Sequence, residues 1–192
     1  YNTRLYAFAN GDILFTESLM DTLKVVLASR HLPLDVKPLL VMGQRTNVRW
    51  VRPEETSFSN LTRISKERGK LTWVNAIDYF VVDRKFPWID IPDLVIGRVW
   101  YDNWLVSYCI QRRFIVIDAT KTLLAVHQTG KAGISEGSHR PTKWYNLNLL
   151  KRLRLVNQTG RRDVRCAPWV TSYTRTRQIY IRYVRIPKNC VQ

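Results

Sequence analysis

The polar triplet Asn10-Gly11-Asp12 separates two apolar runs near the start of the sequence. A carboxylate that follows a buried strand, next to a glycine that lets the backbone come close, is a good ligand for a hard divalent cation bridging to phosphate. Asn-Gly and Gly-Asp are also common turn dipeptides. Taken alone, the triplet therefore favours a turn over a metal site.

A second group of chemically active residues lies between Ile96 and Val106. Trp100 and Trp104 are four residues apart and share one face of a predicted helix, where tryptophan rings could stack on sugars or bases. Asp102 at the helix start could act as a general base, with Asn103 as a hydrogen-bonding neighbour. Alternatively, Trp104 belongs to the core and Asp102 only caps the helix. The residue types leave the two interpretations open.

His127 follows a predicted strand and could bind a metal. A histidine that is satisfied within the core is the more common case, and without further context it is the favoured interpretation.

The last part of the chain is strongly basic. Residues 140–192 hold 13 of the 31 lysines and arginines but one carboxylate, Asp163, and the whole chain carries a net charge of +16. This excess indicates anionic partners, such as nucleotides, phosphorylated sugars or nucleic acid. Aromatic residues interleaved with arginine suit single-stranded nucleic acid or a solvated strand. Because no RNA-recognition, KH or zinc-knuckle pattern is present, the sequence disfavours nucleic acid. These aromatic residues are Trp144, Tyr145, Trp169, Tyr173, Tyr180 and Tyr183.

Several classes of protein are disfavoured by missing motifs. The chain has no G-x-S-x-G, P-loop, G-x-G-x-x-G or H-E-x-x-H sequence. No apolar run approaches the ~18 residues that a transmembrane helix needs. The three cysteines are too few and too widely spaced for a disulfide framework or a zinc ribbon, and as unpaired thiols they favour the cytoplasm. Glycosylation sequons at Asn60 and Asn157 are compatible with a lumen instead, so localisation stays open.

The alternation of strands and helices predicts an α/β fold. The charge distribution indicates a folded body followed by a strongly basic part that begins near residue 140. We expect a domain over residues 1–150 and a basic C-terminal extension over residues 151–192. We expect a short broken strand around Asn10 and a polar loop over 45–58. Helices are predicted over 17–30, 61–68 and 99–110, and further strands over 37–43, 76–82, 114–117, 122–127 and 178–186.

In this order, several segments resemble family-2-like glycosyltransferases of the glycosyltransferase-A fold. FANGDILF is similar to the metal-site strand of that family, LLVMGQRTNV to its G-x-R-x-N segment, and IDYFVV to a following strand. IPDLVIGRVWYDNWLV is the most specific block, and IDAT, VHQT and YNLNLL complete the match over about residues 5–150.

The resemblance implies a mixed sheet flanked by helices, lacking most of the N-terminal nucleotide-binding half. It also implies transfer of a sugar from a nucleotide-sugar donor to a carbohydrate or other hydroxyl acceptor, with inversion. Asp102 would be the catalytic base. Asp12 and His127 would hold Mn²⁺ or Mg²⁺ on the diphosphate. Residues expected to contact substrates are Asn10, Arg45, Arg98, Trp100, Asn103 and Trp104.

Two other functions remain open at this point. One is a non-catalytic basic protein that binds polyanions or glycans, whose affinity should fall steeply with salt. The other is a pseudoenzyme that keeps the fold as an interaction scaffold.

Overall fold

The computed structural model describes residues 3–130, 142–156 and 162–190, so the sequon at Asn157 lies outside the described residues. Within these ranges the chain forms an α/β fold with two mixed sheets and four α-helices. The strands are β1 (Leu5–Ala9), β2 (Ile13–Phe15), β3 (Leu39–Met42), β4 (Thr46–Arg49), β5 (Lys70–Leu71), β6 (Tyr79–Asp83), β7 (Ile115–Asp118), β8 (Ala125–Thr129), β9 (Trp169–Tyr173) and β10 (Ile179–Tyr183). The helices are α1 (Ser18–Ala28), α2 (Phe58–Arg68), α3 (Tyr101–Gln111) and α4 (Tyr145–Arg152).

The larger sheet has six strands in the order β1-β6-β3-β7-β9-β10. Strand β3 pairs in parallel with β7, and β7 in parallel with β9, whereas the other pairs are antiparallel. All four residues of β3 are completely buried. Such a strand needs apolar side chains on both faces, which explains why the sequence there is a continuous run, LLVM, rather than an alternation.

The smaller sheet has the order β2-β8-β4-β5. The expectation of a polar loop over 45–58 is wrong in part, because β4 lies within it. Strand β4 pairs in parallel with β8, and Val48 is its one buried residue. A four-residue strand with one buried side chain lacks the alternating apolar pattern by which strands are recognised from sequence.

Helices α1, α2 and α3 follow the predicted segments with shifted ends, whereas α4 was not predicted. Leu23 and Val26 of α1 are buried in one cluster with Leu39, Val41 and Ile117, and partly buried Ile181 of β10 packs against that cluster. Helix α3 is buried over most of its surface, and its side chains join β3 and β6 in a second cluster. The core therefore lies on both faces of the larger sheet. No helix in the described part of the chain is both long and apolar enough to cross a membrane.

Residues 151–192, which we expected to form a basic extension, contribute β9 and β10 to the larger sheet. The expectation of unpaired cysteines is wrong: Cys166 and Cys190 form a disulfide, and Cys109 is free and buried. The two bonded cysteines are 24 residues apart in sequence, but the β9–β10 hairpin between them folds back and brings them together. The argument from free thiols for a cytoplasmic location is thereby removed.

Reduction of the disulfide should lower the melting temperature. A bridge closing a loop of this length stabilises a protein by about 3 kcal/mol in the chain-entropy model. Wild-type protein heated with and without a phosphine reductant should show the difference, and Cys166→Ser protein should show none. Thiol titration of the unfolded, unreduced wild type should find the single thiol of Cys109. A wild-type melting temperature that does not respond to reductant would contradict the bridge.

Candidate functional site

Polar side chains from both sheets meet where the two sheets adjoin. Asn10 directly follows β1 of the larger sheet, and Asp12 directly precedes β2 of the smaller one. In the same way, Arg45 precedes β4 of the smaller sheet and Asp78 precedes β6 of the larger sheet. His127 lies within β8, opposite Ile13. We call these five residues the junction cluster.

Asp12 and His127 form a hydrogen-bonded pair within this cluster. The register of β2 against β8 brings the two together, and the Gln128 amide donates to the Asp12 carbonyl over 3.0 Å. His127 Nε2 lies 3.0 Å from Asp12 Oδ2, so the ring nitrogen donates and the carboxylate accepts. Asp12 Oδ1 and His127 Nδ1 are buried and have no hydrogen-bond partner among the described residues. Burial and the nearby Arg45 lower the pKa of His127, which favours its neutral form.

Arg45 and Asp78 form a buried ion pair at the centre of the cluster. Arg45 Nη1 lies 2.5 Å from Asp78 Oδ2, and the two side chains are about 10% exposed. Asn10 Nδ2 donates to Asp78 Oδ1 over 2.7 Å, and the Asn10 amide donates to the Asp78 carbonyl. Arg45 Nε donates in turn to Asn47 Oδ1. A buried charge is stable only when it is paired in this way.

Asp102 lies near this ion pair, in the first turn of α3. Burial raises the pKa of its carboxyl well above the ordinary value, and the charge of Asp78 adds to the effect while Arg45 opposes it. We find no hydrogen-bond partner for its side chain among the described residues. A carboxylate with a raised pKa is a stronger base than an exposed one.

The start of α3 also forms one side of an open cleft of about 600 Å³. Trp100 precedes the helix in a left-handed backbone conformation, with φ of 78°. Trp100 and Asn103, on either side of Asp102 in sequence, both line the cleft. Trp73 and Trp144 line it from two other segments of the chain.

Two residues that we expected to contact substrate are placed elsewhere. Trp104 is 3% exposed and stacks on Tyr108 in the core, which is the alternative that its helical position left open. Arg98 bonds to Thr142 Oγ1 and to the Gly97 carbonyl rather than to the junction cluster. The structure thus brings together Asn10, Asp12, Arg45 and His127 with Asp102 near them, and places Trp100 and Asn103 on the cleft.

Sequence reasoning gave no role to Asp78, which is the partner of Arg45. The position of Asp78 in the sequence could have indicated a role. It stands immediately before a fully buried strand, so its carboxylate lies at the end of that strand, as the carboxylate of Asp12 lies at the end of β2. Sequence reasoning also missed Asn146, which is completely buried in α4. Its side chain bonds to the backbone of Val95 and Arg98 and so fastens the loop before α3.

The residues around Asp12 fit a divalent cation only in part. Within the described ranges, no three His, Cys, Asp or Glu side chains are grouped so that they could hold a metal ion by themselves. Mg²⁺ in phosphate-binding sites is held by one or two carboxylates together with phosphate oxygens. The unpartnered oxygen of Asp12 and nitrogen of His127 are donors of the kind that such a shared site needs.

Comparison with known proteins gives no relative for this chain: no family model, no curated protein and no solved structure matches it.

Substitution Asp78→Asn should destabilise the protein by roughly 3–5 kcal/mol, because it leaves the Arg45 charge buried without its counter-ion. Chemical denaturation at pH 7 measures the change in the free energy of unfolding. Glu67→Gln is the matched control, since it breaks the Arg63–Glu67 pair, whose side chains are both about half exposed. An exposed pair contributes about 0–1 kcal/mol. Equal losses in the two variants would contradict the structural role of the buried pair.

Proposed function

We propose that this protein is a glycosyltransferase of the glycosyltransferase-A type, which moves a sugar from a nucleotide-sugar donor to a hydroxyl acceptor with inversion. The observation that carries the proposal is the polar junction between the sheets: a partly unsatisfied Asp12–His127 pair lies beside an Arg45–Asp78 pair, and Asp102 is near both. The sequence resemblance assigns the first and last of these aspartates to the donor and acceptor sides of such a site.

The reaction needs one bond to form and one to break. The acceptor oxygen attacks the anomeric carbon, and the bond from that carbon to the nucleoside diphosphate breaks, with its electron pair leaving on the diphosphate. Asp102 takes the proton of the acceptor hydroxyl. Burial supports this role, because it raises the pKa of the carboxyl and strengthens it as a base. A single in-line displacement inverts the anomeric centre.

The donor side rests on Asp12 and His127. These two residues would hold Mn²⁺ or Mg²⁺ together with the diphosphate, and the cation would offset the charge that develops on the leaving group. Because Arg45 is paired with Asp78, we infer that it positions the junction cluster and adds positive potential near the diphosphate.

Donor binding can be tested by thermal shift with UDP, GDP and their sugars, each with and without manganese. Because a ligand of the native state raises the melting temperature by mass action, wild-type protein should shift only when nucleotide and manganese are both present. Asp12→Asn should abolish that shift. Asp93→Asn is the matched control, because Asp93 is exposed and outside the cluster. If no nucleotide shifts the wild type, the proposal fails.

Catalysis is tested by Asp102→Asn. This change should lower turnover by a factor of about 10²–10⁴, as expected for loss of a general base. The melting temperature should stay the same or rise, because the buried site disfavours the charged carboxylate that is removed. The rate of donor hydrolysis or sugar transfer is measured as the release of nucleoside diphosphate. Unchanged turnover in this variant would exclude Asp102 as the base, and absence of turnover in the wild type would favour a scaffold role.

A specific observation favours polyanion binding as a second candidate. Four exposed arginines near the β9–β10 hairpin have no ion-pair partner in the described part of the chain: Arg175, Arg177, Arg182 and Arg185. Binding of a heparin fragment that weakens steeply with salt and is indifferent to manganese and to Asp12→Asn would support this function.

A further inference from the structure

The cleft at the start of α3 presents three tryptophan side chains from three separate segments. Trp73 lies in the loop between β5 and β6, Trp100 precedes α3, and Trp144 precedes α4. Trp73 is 81% exposed and Trp144 is 50% exposed. Tryptophan buries a large apolar area when it is covered, so exposed rings lining one cleft indicate a ligand with a flat apolar face.

Hydrogen bonds hold the backbone around these rings in place. Thr72 donates its amide to the Arg45 carbonyl, and the Val164 amide donates to the Val74 carbonyl, so Trp73 is fixed on both sides. Trp144 lies two residues before the buried Asn146, which is bonded to the loop that leads to Trp100. Rings on a fixed backbone cost less conformational entropy when a ligand orders them.

The polar groups of the cleft are mostly neutral amides. Asn75 and Asn189 make no side-chain hydrogen bond to any described residue, and Asn103 uses its Nδ2 on the Arg162 carbonyl, which leaves its Oδ1 available. Primary amides both donate and accept, which matches the hydroxyl groups of a sugar.

The two charged side chains that line the cleft, Asp163 and Arg165, are paired with each other, and beside them Lys143 Nζ lies 5.1 Å from the centroid of the Trp144 ring. Arg165 donates to both carboxylate oxygens of Asp163, over 2.9 and 2.7 Å, so its charge is neutralised within the protein. A site for a polyanion would need cations that are free to bind it, and a site for an apolar chain would not need three amides.

We propose that this cleft binds the acceptor and that the acceptor is a neutral oligosaccharide, whose sugar rings stack on Trp73 and Trp144 and hydrogen-bond to Asn75, Asn103 and Asn189. This inference rests on the proposed transferase function. The cleft volume of about 600 Å³ lies within the range of small-ligand sites, roughly 300–1,000 Å³. Trp100 and Asn103, which line the cleft, flank Asp102 in the sequence.

The test measures the binding of four neutral trisaccharides, built from glucose, from mannose, from N-acetylglucosamine, or from lactosamine with galactose. Calorimetry and tryptophan fluorescence follow the binding, and neither nucleotide nor metal is present. At least one should bind, and Trp73→Ala should weaken it by about tenfold or more, since aromatic contacts carry much of such affinity. Trp50→Ala is the control, because Trp50 is 56% exposed and lies outside the cleft. The affinity of the Trp50→Ala variant for the trisaccharide should stay within about twofold of the wild-type value.

Failure of this inference and failure of the proposed function give different results. If no trisaccharide binds, or if Trp50→Ala weakens binding as much as Trp73→Ala does, the proposal that the cleft binds carbohydrate is wrong. A thermal shift by nucleotide that needs manganese would still support the transferase proposal in that case. If trisaccharides bind and no nucleotide shifts the melting temperature, the cleft is a glycan site and the transferase proposal falls. Asp93→Asn, at an exposed residue outside the cleft, should leave trisaccharide affinity unchanged. If the cleft instead binds a heparin fragment more tightly, and that binding is lost in 0.5 M salt at roughly the steepness of counterion release, the proposal of a neutral ligand is overturned.

Discussion

The buried ion pair of Arg45 and Asp78 is the constraint on which the junction depends. Each residue stands immediately before a strand, and the two strands belong to different sheets. Because neither charge can be left unpaired in the interior, the pair fixes how β4 and β6 start relative to one another. Asn10 extends the same network to the end of β1. Strand β4 pairs with β8, which carries His127, and β6 pairs with β1, after which Asp12 follows in the chain.

The junction cluster and the cleft at the start of α3 differ in physical character. The junction cluster is charged and hydrogen-bonded, and its Arg45, Asp78 and His127 are buried, whereas Asp12 is 38% exposed. The cleft is open and aromatic, with amides and an Arg165–Asp163 pair. Asp102 is linked to both: Trp100 and Asn103, which flank it in the sequence, line the cleft, and Asp78 and Arg45 influence the pKa of its carboxyl.

Much of the fold could be predicted from sequence, and the reasons for success and failure are local. The run LLVM predicts a strand because burial on both faces needs only apolar side chains. The helix that became α3 is predicted because Trp100 and Trp104 have the spacing of one helical face. Strand β4 could not be predicted, because its polar residues are stabilised by pairing to β8 and β5. The site residues Asn10, Asp12, Arg45 and His127 were predicted from residue type and resemblance. The Arg45–Asp78 pairing and the Cys166–Cys190 bridge depend on distances across the fold, which no spacing in the sequence records.

The parallel pairing of β7 with β9 has a consequence for how the molecule is made. Ile117 and Trp169 are partners in this pair, so a long stretch of chain must be synthesised before β9 can join the sheet. Contacts of such separation form slowly, because the entropy of closing the intervening loop is lost before any pairing energy is gained. Asp163, Arg165 and Asn189 therefore reach the cleft late, after the strands around Asp12 and Asp78 have left the ribosome. During synthesis the molecule passes through a stage in which Asp12 and Asp78 can meet their partners while one wall of the cleft is still missing.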